Sequence, residues 1–204
     1  GYFNVVETGW PILDPLFDNV EGATSKANEA KTKKTVLMCS TFSRNLACAP
    51  HLFEQVKKES ATGEWQWLVQ FHPKMPKRII QQYKTLESEH LTFVETDNVL
   101  PLLKQADVML CDTSSVIQMF IVQNKPVVTF NNIDPQPHMV NFTDPALLAE
   151  KLDYALKYPV SLQKNVREYI QQLHPYRDGN SSARLLEAVE QVLQGHLPTA
   201  KKKP

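Results

Sequence analysis

Residues 107–116 read Asp107-Val108-Met109-Leu110-Cys111-Asp112-Thr113-Ser114-Ser115-Val116, and this stretch decides the fold. Its first half, 107–111 (DVMLC), is a short apolar run of the kind that makes a strand buried on both faces. The polar residues that follow end the strand and open a helix over 114–123. In an open parallel sheet, ligands bind outside the carboxyl ends of the strands. A helix N-terminus there offers unpaired amides and about half a positive charge, and so attracts phosphate. Serine and threonine add hydroxyl donors without blocking the approach. A plain N-cap favours the same residue types, but a cap needs one such residue and this segment has four. Asp112, Thr113, Ser114 and Ser115 are therefore read as a phosphate-binding segment.

Working outward, the same alternation recurs on both sides. Residues 35–39 (TVLMC), 67–71 (WLVQF), 91–94 (LTFV) and 126–130 (PVVTF) are further strands. Between them, 51–59, 76–86 and 99–105 carry apolar residues at helical spacing, with Pro76 suited to a first helical turn. Short apolar strands alternating with helices make βαβ units with right-handed crossovers. The expected fold class is α/β: a Rossmann-like parallel sheet with helices on both faces and a helical C-terminal end. That end comprises helices over 144–156, 162–173 and 180–193. The last places Leu185, Leu186, Val189, Val192 and Leu193 at helical spacing. No internal repeat and no GxGxxG occur.

The chain has 204 residues, 42% hydrophobic and 22% charged, as an ordinary globular domain has. Lys+Arg and Asp+Glu number 22 each, so the formal net charge is zero. That balance argues against a nucleic-acid partner, which calls for a basic excess. Cys39, Cys48 and Cys111 show no CxxC spacing and read as buried free thiols of a cytoplasmic protein. No apolar run reaches the roughly 18 residues of a membrane span. Residues 1–34 read as a lead-in segment and polar loop, 35–194 as the sheet domain, and 195–204 as a flexible basic tail. The start at Gly1, without methionine, looks like a chain cut from something longer.

Two further strand ends and the approach to the last helix carry candidate residues. His72 follows the second strand and can donate to a phosphate oxygen or pass a proton to a leaving group. Lys74, Lys77 and Arg78 make that edge basic. Thr41 and Arg44 follow the first strand, where an arginine can clamp phosphate; a surface loop accounts for them equally well. Asp178 and Gly179 precede the last helix, where Asp178 or Asn180 can serve as its cap. Trp65 and Trp67 read as core and rim. The remaining histidines are scattered without metal-ligand spacing, so no metal and no cofactor is expected. No P-loop, GxSxG or HExxH is present.

At these places the sequence resembles the CDP-glycerol glycerophosphotransferases, polymerases and primases of teichoic-acid-like polymers. The resemblance runs from about Val6 to Val192. Thr8-Gly9-Trp10-Pro11-Ile12-Leu13-Asp14 resembles that family's "TGxPxxD" segment. Ser40-Thr41-Phe42-Ser43-Arg44 resembles "PTFR", with Ser40 for proline and one residue inserted before the arginine. Phe71-His72-Pro73 matches "HP", 107–116 resembles "DVLITDYSSV" with Thr113 for tyrosine, Lys125-Pro126-Val127-Val128 matches "KPV", and Asp178-Gly179-Asn180 resembles its "DG" segment.

The resemblance implies the C-terminal, donor-binding domain of a GT-B fold. His72, Ser114, Ser115 and Arg44 then approach the phosphates of a nucleotide-activated donor such as CDP-glycerol. It also implies an N-terminal GT-B domain carrying the catalytic base, a polymer or lipid-linked hydroxyl acceptor, and a peripheral place at the inner face of the plasma membrane. UDP-GlcNAc 2-epimerases share the architecture, and Pro175-Tyr176-Arg177-Asp178-Gly179 resembles their "PYGDG". Their segment after the fourth strand, "TDSGG", is further from Asp112-Thr113-Ser114-Ser115. A glycosyltransferase domain or a non-catalytic binding module are the other readings. By itself the chain is expected to fold, to bind a cytidine nucleotide weakly and to catalyse nothing.

Overall fold

The structure, a computed structural model, describes residues 5–17 and 33–196. Apart from residues 33–34, the loop expected over 21–34 lies outside the described residues, as does the tail from residue 197 onward. The chain forms two compact units. One is Ala30–Leu173; the other joins Gly1–Glu29 with His174–Pro204. This differs from the single domain expected over 35–194: the last helix belongs with the lead-in segment.

The larger unit is a six-stranded sheet in the order β3-β2-β1-β4-β5-β6, with every neighbouring pair parallel. The strands are β1 (Thr35–Ser40), β2 (Gln66–Phe71), β3 (Leu91–Phe93), β4 (Val108–Cys111), β5 (Val127–Phe130) and β6 (Val140–Phe142). This is the Rossmann-like α/β fold. The centre of the sheet is dry because β4 is apolar throughout and β1 is apolar over residues 36–39; all of β1 and β4 is buried. Parallel pairing forces a crossover after each strand, and right-handed crossovers cover both faces.

The crossover helices carry the periodic residues read from sequence. α2 (Ala49–Ala61) takes Pro50 in its first turn and buries Leu52 and Val56. α3 (Lys77–Lys84) buries Ile79 and Tyr83; the Tyr83 hydroxyl donates to Ala49 O at 2.8 Å, joining the two helices. α4 (Leu100–Gln105) buries Leu102 and Leu103. α5 (Val116–Ile121) is shorter than the helix expected over 114–123, because residues 112–115 bend before the helical turns begin. The helix expected over 144–156 is a 3-10 turn, Pro145–Leu147, running into α6 (Leu148–Lys157). α7 is Val160–Leu173. Trp65 and Trp67 are both buried. β6 was not expected: three residues with a polar centre, Asn141, are too short for a period-2 signal.

In the smaller unit, a 3-10 turn (Pro11–Leu13) leads into α1 (Asp14–Phe17), and the last helix is α8 (Ser181–Leu193). Asp14 is buried and accepts the backbone N–H groups of Ser181 at 2.9 Å and Ser182 at 2.7 Å. The cap of α8 thus comes from Asp14. Asn180 sits at the N-cap position without a side-chain cap bond, and Asp178 pairs with Arg184. Gly9, at φ +85°, lies so near Ser181 that an added Cβ would meet its Oγ at 2.5 Å. The apolar stripe of α8 stays in the open among the described residues, with Leu186 65% and Leu193 81% exposed. No helix among the described residues is long and apolar enough to cross a membrane.

Candidate functional site

Strand order reverses between β1 and β4, and the carboxyl ends flanking that reversal form the crevice where ligands bind in such sheets. Register sets the ends side by side: Met38 pairs with Leu110, and Ser40 with Phe71. The residues just past these ends are Thr41, His72 and Asp112.

Asp112 closes the crevice from below. It is fully buried. Its carboxylate accepts the Ser40 hydroxyl at 2.8 Å, the Thr41 N–H at 3.0 Å and the Cys48 N–H at 3.0 Å. The Ser40 oxygen accepts in turn the N–H of Ala49 at the start of α2, at 3.2 Å. Asp112 was expected to contact donor phosphate; in the structure its carboxylate faces the donors at the strand ends. Its oxygens are consumed by strand-end donors, and a carboxylate repels phosphate. Burial, joined by the Asp112 charge, pushes the Cys39 thiol up to about 12 and raises Cys48 and Cys111 as well. All three cysteines are free, buried thiols.

The other three residues of the segment divide the edge into two hollows. Thr113 accepts the Ile133 N–H through its hydroxyl at 3.1 Å. Asn132 donates to Asp112 O at 3.0 Å and Asn141 accepts the Asn132 N–H at 3.2 Å, so the β5–β6 loop is fastened to the segment. The hydroxyls of Ser114 and Ser115 have no partner among the described residues. Both serines line a hollow of about 260 Å³ together with Ser40, Gln70, His72 and Thr96. They also line a larger hollow of about 650 Å³ on the β5 side, walled by the 132–139 loop and α7.

His72 is exposed on the first hollow. Its N–H donates to Ser40 O at 3.3 Å, and its Nδ1 accepts the Lys74 N–H at 3.1 Å. That bond occupies Nδ1 as an acceptor, so the neutral ring carries its proton on Nε2 and offers it outward. Phe42 packs against the ring with centroids 4.4 Å apart, and the Lys74 ammonium lies 5.5 Å from the Phe42 centroid.

The structure therefore brings His72, Ser114 and Ser115 onto one hollow. It does not bring Thr41 or Arg44 to that lining. Thr41 gives its amide to Asp112, and Arg44 is exposed on the loop after β1. Asp178 and Gly179 belong to the other unit. There the Arg184 guanidinium, with the Asn180 N–H, holds the Asp178 carboxyl below its ordinary range, and Gly179 takes a left-handed φ of 70°.

Sequence reasoning missed His138. It is 5% exposed and lines the larger hollow. Its ring stacks on Tyr169 at 3.6 Å and 13°, and Nε2 has no partner. Burial lowers its pKa, favouring the neutral ring. The signal for this wall was the polar run 131–139 after β5, one more strand end. Among the described residues no group of three or more His, Cys, Asp and Glu side chains is arranged to hold a metal ion.

Comparison with known proteins agrees with this architecture. The chain is 23% identical over 207 aligned residues to the teichoic acid glycerol-phosphate primase of Bacillus subtilis (strain 168). The alignment takes in 93% of this chain and 52% of the primase, so the chain spans about half the length of that relative. Among solved structures, the wall teichoic acid polymerase TagF superposes with a TM-score of 0.65 at 15% identity, over 95% of this chain and 53% of TagF. A TagF variant soaked with CDPG gives 0.64 at 17%, over 95% and 51%. A protein from Listeria monocytogenes assigned as a UDP-N-acetylglucosamine 2-epimerase gives 0.61 at 15%, over 96% and 56%. These neighbours have the GT-B fold and show that fold for this chain. The family model described as CDP-Glycerol:Poly(glycerophosphate) glycerophosphotransferase matches residues 2–137, and with well over half of its length matched, the chain belongs to that family.

Proposed function

We propose that the Ala30–Leu173 unit holds the nucleotide-activated donor of a glycerophosphotransferase, CDP-glycerol being the donor that fits the family. The observation that carries this reading is the convergence of His72, Ser114 and Ser115 on one hollow beside the reversal of strand order. The donor's phosphates lie against the two free hydroxyls, and the Nε2–H of His72 donates to a phosphate oxygen. The oxygen of an acceptor hydroxyl bonds to the distal phosphorus. The anhydride bond to CMP breaks, and CMP leaves with the bonding electrons. The acceptor's proton passes to a base outside this chain, in the N-terminal GT-B domain that the family likeness implies. Phosphoryl transfer depends mostly on positioning and on stabilising charge on the phosphate oxygens, and neutral donors in a preformed hollow supply both. Thr113 braces the segment through its hydroxyl, and Arg44, on its exposed loop, reaches the phosphates only with the donor in place. The acceptor is a hydroxyl of a cell-surface polymer or its lipid-linked primer, which puts the enzyme at the inner face of the membrane.

Calorimetric titration of the chain with CMP, CDP-glycerol, UMP and UDP-GlcNAc tests this. Weak binding that prefers the cytidine compounds is expected, because half the cleft lies beyond this chain. A uridine preference supports an epimerase or glycosyltransferase instead. No binding to any of the four leaves a non-catalytic module.

A further inference from the structure

His72 is exposed, and a side chain on an open strand end samples several rotamers unless something holds it. The bond from the Lys74 N–H to Nδ1, at 3.1 Å, fixes one atom of the imidazole. A single hydrogen bond still lets the ring pivot about that atom. The plane of the ring is set by what lies against it, and there the Phe42 ring meets it with centroids 4.4 Å apart and planes tilted by 40°. With both contacts made, the direction of the Nε2–H is fixed.

Phe42 is 43% exposed and so is not a core residue. An apolar ring left that open forgoes the stabilisation that burial would give it. The residues on either side of it are nevertheless anchored. The Thr41 N–H donates to the Asp112 carboxylate at 3.0 Å, and Ser43 O accepts the N–H groups of Leu46 at 3.1 Å and Ala47 at 2.9 Å. The loop after β1 is thus built to present Phe42 at the strand ends. The Lys74 ammonium, 5.5 Å from the Phe42 centroid, adds a cation–π contact at the same place. Phe42 is not among the residues that line the hollow, whereas His72 is.

We infer that Phe42 is a positioning residue: its ring, together with the Lys74 N–H, holds His72 so that the Nε2–H faces the hollow, and Phe42 itself touches no ligand. What the Nε2–H meets there rests on the donor reading; the hold on the ring does not. A group that acts on a substrate has to be kept within about 0.5 Å and 10–20° of its working place by neighbours that are themselves locked. Here the lock runs from the buried Asp112 carboxylate through Thr41 to Phe42, and from Phe42 to His72. The loop after β1 therefore serves the site through its phenylalanine, while Thr41 and Arg44 stay off the lining.

Two measurements on the 204-residue chain test this. The first is the ring-nitrogen NMR spectrum of His72 without ligand, at about pH 8.5, where an ordinary imidazole is neutral. The parent shows the Nε2–H form alone. Phe42→Ala, at an exposed position where folding is safe, lets the ring turn. The Nδ1–H form then appears in exchange, and the Lys74 amide resonance moves as its acceptor is lost. Phe42→Tyr keeps the ring and restores the parent spectrum. Ring nitrogens and a Lys74 amide that are the same in Phe42→Ala as in the parent overturn the proposal.

The second measurement is CDP-glycerol titration of the parent, Phe42→Ala, His72→Ala and the double variant. Phe42→Ala weakens binding about fivefold, the order that one aromatic contact contributes. In the His72→Ala background it costs nothing further, because the contact acts through the ring. An equal loss in both backgrounds means that Phe42 acts otherwise than through His72, and overturns the positioning role. A ring that turns while binding stays the same upholds the hold on His72 and removes His72 from the donor reading. Absence of CDP-glycerol binding by the parent removes the donor reading as a whole, and the ring spectrum alone then decides the hold.

Discussion

The Asp112 carboxylate accepts the Ser40 hydroxyl at 2.8 Å, tying the end of β4 to the end of β1 across the reversal of the sheet. The same carboxylate takes two backbone N–H groups. In Asp112→Asn, the amide N–H2 turns one acceptor into a donor facing donors. Hydrogen bonds to a charged group contribute about 1.5–3 kcal/mol, and an unpaired buried donor costs a similar amount. Urea denaturation of the variant is expected to show a loss of about 3 kcal/mol. An unchanged midpoint refutes the bracing role given to Asp112.

His72→Ala should separate function from stability. The ring is exposed, so the melting temperature stays where it is. Turnover of the whole enzyme falls about a hundredfold, as when one preorganised donor to a transition state is lost. A collapse of the melting transition with normal turnover of the surviving fraction contradicts this.

Asp14 makes the smaller unit sensitive to acid. Burial opposes the charged form, but hydrogen bonds from Ser182 and Ser181 outweigh it and hold the carboxyl below its ordinary 3.8. A lowered folded pKa means the contribution is complete above 3.8 and disappears as the pH falls through the lower folded value. Asp14→Ala removes the cap, costing about 1 kcal/mol at neutral pH. Amide exchange at 181–184 is the measurement: the parent accelerates as acid is added, after allowance for intrinsic rates, and the variant is already fast at neutral pH.

The three cysteines should be chemically silent in the folded chain. A thiol raised to about 12, as Cys39 is, carries almost no thiolate at neutral pH, and burial denies access to all three. A disulfide-exchange reagent is expected to titrate none of them natively and all three in denaturant. Rapid native labelling at Cys48 speaks against the closed crevice described here.

Strands and crossover helices were legible because each announces itself locally. β4 is four apolar residues ended by Asp112, and α3 repeats its apolar positions with helical period. The place of His72 and Ser114 followed from the strand-end rule without any contact being known. The bracing by Asp112 was not legible because it depends on Ser40 and Cys48, residues 72 and 64 positions away. The cap of α8 was sought at Asp178 and Asn180 because capping rules look to near neighbours. The group that does it, Asp14, lies 167 residues upstream of Ser181. The stripe of α8 reads as a core face in sequence, since periodicity reports which side is apolar and not what covers it.

The separation between Asp14 and Ser181 also orders events during synthesis. Chains emerge at about 5–20 residues per second. Pro11–Leu13 and Asp14 are therefore made well before Ser181 and Ser182, and must wait for them before the carboxylate has its amides. Contacts so distant along the chain close slowly, whereas the βαβ units between them bring together residues a few tens of positions apart. The sheet unit can thus assemble before the lead-in segment and the last helix pair, a clasp that closes only once both have been made.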